Sequence, residues 1–246
     1  MEMNYARTHD ERLPLYQRLR DELGARIASQ QWRPGEAIPT EAELVKQFSA
    51  SVGTVRKAID MLVAEGMLER FQGRGTFVRR ARFDSSLFRF FRFQKESGER
   101  QVPQGRILLR EVMSAPSAVA AALRLPPDAE VIHLSRLRML DGKPLLAEAI
   151  WLPKDKFAAL LDLDTAQFGD LLYPLYEERC GQVVASAEED LTAEPVDEVH
   201  ARLLQLPIGA PVIVVERTAL GYDRQPLEWR RSRGPADQFR YHVEIR

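Results

Sequence analysis

Two stretches of this chain, 81 residues apart, carry the same pattern, and that duplication restricts the fold more than any other feature. Residues 122–126 read Ala-Leu-Arg-Leu-Pro, and residues 203–207 read Leu-Leu-Gln-Leu-Pro. Each is followed by an alternating stretch, 129–136 or 210–217, that closes on an arginine, Arg136 or Arg217. One extra residue in the second copy then sets Pro226 opposite Pro144. Each copy reads as a helix end, a strand, a turn (141–144 or 222–226) and a second strand. A long period present only twice is a duplication and not a solenoid. A helix-hairpin unit cannot bury its own apolar sheet face. Two of them therefore imply one antiparallel sheet in an α+β domain.

Strand alternation then isolates the polar residues that need a reason. Arg136 and Arg138 share a face with Ile132 and Leu134, and Glu148 shares one with Leu146 and Ile150. On residues 227–233, Glu228, Arg230 and Ser232 lie together. A charge on a mainly apolar face needs a partner. Two solutions stay open at this level: ion pairs among these arginines and glutamates, or a site for a charged small molecule. Upstream, residues 87–93 (Leu-Phe-Arg-Phe-Phe-Arg-Phe) read as a strand with buried aromatics, after a short charged linker at 81–86.

The first eighty residues have a different organisation. Pro14 suits a first helical turn, and Leu15, Leu19, Leu23 and Ile27 recur at four-residue spacing, which predicts a helix to about Gln31. Pro34-Gly35 interrupts it. Thr40 and Glu43 have capping-box spacing and predict a second helix through about Phe48. Ser51 predicts the N-cap of a third helix to about Glu65, with Val55, Ile59 and Leu62 inward and Gly53, Thr54, Arg56, Lys57 and Asp60 outward. Gly66 ends it. Residues 67–71 and 76–78 then predict a hairpin whose tip is Gln72, Gly73, Arg74 and Gly75. Three helices and a hairpin in this order form a winged helix-turn-helix, whose third helix fits the DNA major groove. The glycines of the tip admit backbone close to phosphate, with Arg74 at or in the minor groove.

Charge distribution agrees with that reading. The overall formal charge is −1, but residues 1–82 hold 14 Lys/Arg against 11 Asp/Glu, and the remainder holds 21 against 25. Unlike halves suit a protein that meets phosphate over a limited patch. The polar start (residues 1–12, a flexible tail) does not read as a signal peptide, and no apolar run is long enough for a membrane span. The single cysteine, Cys180, precludes an intrachain disulfide and a thiolate metal cluster, so a reducing cytoplasm is expected. The four histidines lack metal-ligand spacing, and no nucleophile, P-loop or dinucleotide motif is present. Binding is therefore expected over catalysis, with no cofactor and no metal. A DNA-binding protein without an effector is the main alternative, ahead of a lyase-like enzyme.

Pro14-Leu-Tyr16, Pro34-Gly35, Pro39-Thr40-Glu41, Glu43-Leu44, Thr54-Val-Arg56, Glu65-Gly66 and the run from Gln72 to Val78 together resemble the DNA-binding domain of the GntR family of bacterial regulators. That resemblance implies a DNA-binding domain at 13–80, using Thr40, Glu41, Ser51, Gly53, Thr54, Arg56, Lys57 and the tip residues. Arg136-Leu-Arg138, Gly142 with Pro144, Glu148, Leu172-Tyr173, Glu216-Arg217, Pro226, Glu228 and Tyr241 resemble the UTRA domain of the HutC-type subfamily, over 87–246. It implies a chorismate-lyase-like α+β fold and a small effector held by Arg136, Arg138, Glu148, Tyr173, Glu228, Arg230, Ser232 and Tyr241. It further implies a homodimeric repressor on an inverted-repeat operator in double-stranded DNA. Three departures stand out: Ala42 and Val52 replace arginines common in the family, and Leu171 replaces a common anion-binding serine. The first two shift base reading toward Arg56, and the third favours a carboxylate effector over a phosphorylated sugar.

Overall fold

The computed structural model describes residues 12–80 and 102–239, and the chain divides into two compact units, Met1–Arg80 and Ala81–Arg246. The strand expected at 87–93, the linker at 81–86 and Tyr241 lie outside the described residues.

In the first unit, α1 (Leu15–Ala28), α2 (Glu41–Phe48) and α3 (Val52–Ala64) precede a hairpin of β1 (Leu68–Phe71) and β2 (Gly75–Val78). Leu19, Leu23 and Ile27 of α1 are buried with Leu44, Val55, Ile59 and Leu62, the apolar stripe that four-residue spacing creates. The first helix stops at Ala28, short of the expected Gln31, and Gln30 takes a left-handed conformation at φ 60°. Both expected N-caps form. Thr40 accepts from the Glu43 amide while Glu43 accepts from the Thr40 amide, and Ser51 accepts from the Thr54 amide. Residues 35–38 run beside β2, with Ile38 N–H donating to Thr76 O at 2.9 Å and Val78 N–H to Glu36 O at 2.9 Å. This pins the hairpin to the segment leading into α2.

The second unit holds a fully antiparallel six-stranded sheet in the order β3-β4-β5-β8-β7-β6. Its strands are β3 (Gln104–Ser114), β4 (Glu130–Leu140), β5 (Lys143–Pro153), β6 (Ser186–Pro195), β7 (Pro211–Leu220) and β8 (Pro226–Pro235). The duplication is visible as strand order: β3, α4 (Ser117–Leu123), β4 and β5 are repeated as β6, α7 (Glu198–Leu204), β7 and β8. At the centre, Ala149 pairs with Arg231, its own repeat equivalent, so the local two-fold passes between β5 and β8. The edge strands β3 and β6 were not legible in sequence, because both lie largely exposed and lack regular apolar alternation. The first hairpin turns on Asp141 and Gly142 alone, both at positive φ, so β5 starts at Lys143 and takes in Pro144, which was expected to end the turn.

The two sheet faces are covered differently. Helices α4 and α7 pack on one face, against Val131 and against Ala147, Val212 and Val214. On the other, Ile132, Leu134, Ile150, Leu152, Ala219 and Leu227 pack with residues of α5 (Lys154–Phe157), the 3-10 turns Ala158–Leu161 and Thr165–Phe168, and α6 (Leu172–Cys180). Strand alternation puts Arg136, Arg138 and Glu148 on that second face.

Candidate DNA interface and effector site

The residues expected to meet DNA gather around the start of α3. Ser51, Gly53, Arg56 and Lys57 are exposed and Thr54 is partly so. The Thr54 hydroxyl lies 2.9 Å from that of Ser51. Arg56 does not stand alone: its Nη2 and Nε donate to Glu41 Oε2 at 2.9 and 3.2 Å, which raises its pKa through that hydrogen bond and the carboxylate charge. This engages one edge of the guanidinium and orients the remaining donors. Arg70 of β1 reaches Glu41 at 3.6 Å and also pairs with Asp60, so the hairpin is tied to α2 and α3. Arg70 was missed in the sequence because strand position does not reveal which helix it meets. Lys57 sits 3.7 Å over the Tyr16 ring, and the Thr40 hydroxyl serves the α2 cap.

At the hairpin tip, Gln72, Gly73 and Arg74 are exposed, and Gly73 and Gly75 have φ of 72° and 117°. A side chain at Gly73 would meet no steric obstacle; its backbone conformation is what calls for glycine. Arg74 lies 5.6 Å over the Phe71 ring. Replacing Arg56 with alanine should weaken operator binding by roughly 1–3 kcal/mol and relax preference at one base position. Arg74→Ala should instead lower affinity evenly across sequences and reduce the salt slope by about one. Titrations on a mutated operator series at two salt concentrations separate the two, and unchanged binding by both variants would place the interface elsewhere.

In the second unit, the sheet brings together most of the polar residues that alternation singled out. Arg136, Arg138, Glu148, Glu228, Arg230 and Ser232 are all 0–2% exposed. Glu148 sits between two arginines, 3.5 Å from Arg136 Nη1 and 3.2 Å from Arg230 Nη1. Ser232 Oγ donates to it at 3.4 Å. Glu228 pairs with Arg230 at 2.7 Å and accepts from Tyr176 at 2.7 Å and Tyr173 at 3.2 Å. Both tyrosines come from α6, which closes over the cluster.

The loop ahead of α6 supplies two further acceptors. Arg136 Nη2 donates to the carbonyls of Gly169 at 3.2 Å and Asp170 at 2.6 Å, and Arg138 Nη1 donates to Asp170 O at 2.6 Å. The Asp170 side chain accepts from Gly105 N–H at 2.7 Å. A Cβ at Gly105 would lie 2.1 Å from Arg136 Nη2. Gly105→Ala should therefore displace the guanidinium and cost about 1–3 kcal/mol, read as a lower melting temperature.

Electrostatics follow from this packing. Burial pushes Glu148 up, but Arg230, Arg136, Arg138 and Arg217 outweigh it and hold the carboxyl below its ordinary value. Burial lowers Arg138 to about 10 despite the pull of Glu148. Among the described residues, Arg138 meets no carboxylate at ion-pairing distance, and Nε of both Arg136 and Arg230 is buried without an acceptor. Arg217 was not selected from the sequence, yet it is 1% exposed, pairs with Glu189 and donates from Nη1 to the Tyr173 hydroxyl at 3.5 Å. The duplication held the signal for it, since Arg217 is the repeat equivalent of Arg136.

Residues 15–78 match the gntR family of bacterial regulatory proteins, and residues 98–240 match the UTRA domain. The chain belongs to the GntR family. The mannosyl-D-glycerate transport/metabolism system repressor MngR of Escherichia coli K12 is 29% identical over 231 residues, covering 93% of this chain and 94% of its own. The repressor NagR of Bacillus subtilis is 25% identical over 230 residues, covering 93% of each. A crystal structure described as the ligand-binding domain of a GntR-family regulator from Bordetella bronchiseptica aligns with TM-score 0.59 at 30% identity. That alignment covers 68% of this chain and 99% of the Bordetella chain. This GntR-family chain is thus a DNA-binding transcriptional repressor under effector control, and not an enzyme. Among the described residues, no helix is long and apolar enough to cross a membrane.

Proposed function

We propose that the buried arginine-glutamate cluster is the effector site, and that it takes a small carboxylate-bearing metabolite whose binding releases the operator. One observation carries this: Arg138 is buried, meets no carboxylate among the described residues, and has a neutral carbonyl as its acceptor. A buried guanidinium gains most from a charged acceptor. A carboxylate arriving there competes with the Asp170 carbonyl for Arg136 and Arg138, and so acts on the loop that leads into α6. Glu228, with Tyr173 and Tyr176 beside it, can receive hydroxyl or amine hydrogens at the other end, while Arg230 and Ser232 hold Glu148 in place. Leu171, at the start of α6, offers no side-chain cap. The relative MngR, a repressor of a mannosyl-D-glycerate transport/metabolism system, is in keeping with a carboxylate. A thermal-shift screen of carboxylates, sugar acids, amino acids and phosphates, followed by operator release with the hits, tests the reading. Stabilisation by phosphates alone would sink it.

The regulator works as a homodimer on an inverted repeat of nucleoid DNA, with residues 13–80 as the DNA-binding domain and 81–86 joining it to the effector domain at 87–246. A single recognition helix buries less than the roughly 1,000 Å² or more of a specific protein–DNA interface, whereas two on a two-fold axis read a palindrome. Half-sites are expected about one helical turn apart or closer. Sedimentation and footprinting check this; a monomer that binds an asymmetric site at full affinity would refute it.

A further inference from the structure

The duplication makes the two halves of the cluster comparable position by position, and they are not equivalent in charge. Arg136 on β4 and Arg217 on β7 occupy the same place in the two copies. Across the sheet toward the centre, Arg136 faces Glu148, while Arg217 faces Arg230. Toward the edges the difference is reversed: Arg136 faces Ile107 of β3, while Arg217 faces Glu189 of β6. Arg217 Nε donates to Glu189 at 2.6 Å and its Nη2 also reaches that carboxylate. The second half thus holds Arg217 with Glu189 and Arg230 with Glu228. Among the described residues, the first half holds Arg136 and Arg138 with one buried carboxylate, Glu148, which is shared with Arg230, while the exposed Asp170 carboxylate attracts Arg138 from beyond ion-pairing distance. The repeat equivalent of Arg138 is Ala219, so the excess positive charge is confined to one end.

We infer that Glu189 determines the charge of the effector: by neutralising Arg217 it leaves one cationic end, so the site accepts a monoanion and rejects a dianion. The inference rests on the cluster being the effector site. Its chemistry is that of a specificity element which works against the wrong ligand, because a second carboxylate directed at Arg217 meets a glutamate already bound there. Like charges brought together at a desolvated site cost several kcal/mol, enough to suppress such a ligand. The ligand class that fits is a monocarboxylate whose far end carries hydroxyl or amine hydrogens for Glu228 and the α6 tyrosines.

The test uses the full-length protein and two matched series of probes, butyrate and 4-hydroxybutyrate against succinate, glutarate and adipate. Apparent affinities come from thermal shift and are repeated by calorimetry. The parent should respond to the monocarboxylates and not to the dicarboxylates. Glu189→Gln keeps the side-chain shape and removes the charge, so it should gain at least about tenfold in affinity for a dicarboxylate of suitable length. Retention of the parent ranking by a variant that still responds to monocarboxylates would overturn this inference alone. Absence of any carboxylate response in both proteins would overturn the effector-site reading with it. Should Glu189→Gln fail to fold, the double change Glu189→Leu with Arg217→Met removes the pair together. That protein should keep the monocarboxylate preference, and a gain of dicarboxylate binding by it would equally overturn the proposal.

Discussion

Glu148→Gln should lower the stability of the effector domain by about 3–5 kcal/mol, seen as a fall in melting temperature of roughly 10 °C. The carboxylate is shared by Arg136 and Arg230, and it also attracts Arg138 and Arg217. Without it Arg230 retains Glu228, but among the described residues Arg136 is left with carbonyl acceptors only. A buried charge stripped of its partner costs far more than the intact pair contributes, because its desolvation is no longer compensated. The pH dependence has a definite sign. The arginines hold Glu148 below its ordinary value against the upward push of burial. Its stabilisation is therefore complete above that ordinary value and is lost as pH falls through the depressed folded value. Melts between pH 7 and pH 3 should show an acid loss in the parent that is smaller in Glu148→Gln. Equal acid sensitivity in both would show that another carboxylate governs it.

Arg138→Met should move stability the other way. Removing a buried guanidinium that meets no carboxylate at ion-pairing distance among the described residues, while keeping most of the side-chain volume, should raise effector-free stability by about 1 kcal/mol. A basic group whose folded pKa is depressed weakens the fold while it is charged. Its penalty is fully present at neutral pH and fades as pH rises through about 10. The parent should therefore trail the variant up to about pH 10 and gain on it only above that value. The same substitution should abolish release of operator by carboxylates, since an effector shifts the two states only by its differential affinity for them. Moving a population from 1:99 to 99:1 requires about 5.5 kcal/mol of such preference, and a charge-assisted contact in a desolvated site supplies a large part of it. A variant that melts earlier than the parent yet responds normally to carboxylates would make Arg138 a scaffold residue, with the effector bound elsewhere.

The sequence is most informative where the physics is local. The caps at Thr40 and Ser51 and the turn glycines involve groups a few residues apart and appear as expected, while the α1 stripe is buried at Leu19, Leu23 and Ile27 but leaves Leu15, in the first turn, exposed. Repetition added the helix-hairpin halves of the sheet. The edge strands β3 and β6 escaped because they bury little on either side and so impose no alternation. Within the site, Arg136, Arg138, Glu148, Glu228, Arg230 and Ser232 were legible as polar residues on apolar strand faces. Glu189 and Asp170 were not: one lies on an exposed acidic strand and the other in a loop, where a charge needs no explanation. Tyr176 reads as an ordinary helix residue until α6 is set over Glu228.

The sequence by itself determined the order of elements, the winged helix-turn-helix and the doubling of the second domain, because these rest on short-range capping, periodicity and repetition. It left open whether the charged strand residues were ion pairs or a binding site. Only the tertiary structure decided which charges meet. Pairing β5 with β8 brings Glu148 to Arg230, 82 residues away in the chain, while β6 neutralises Arg217 and a loop carbonyl accepts from Arg138. Charge balance inside a desolvated cluster depends on distances of a few ångströms between distant segments, and strand order and register fix those distances.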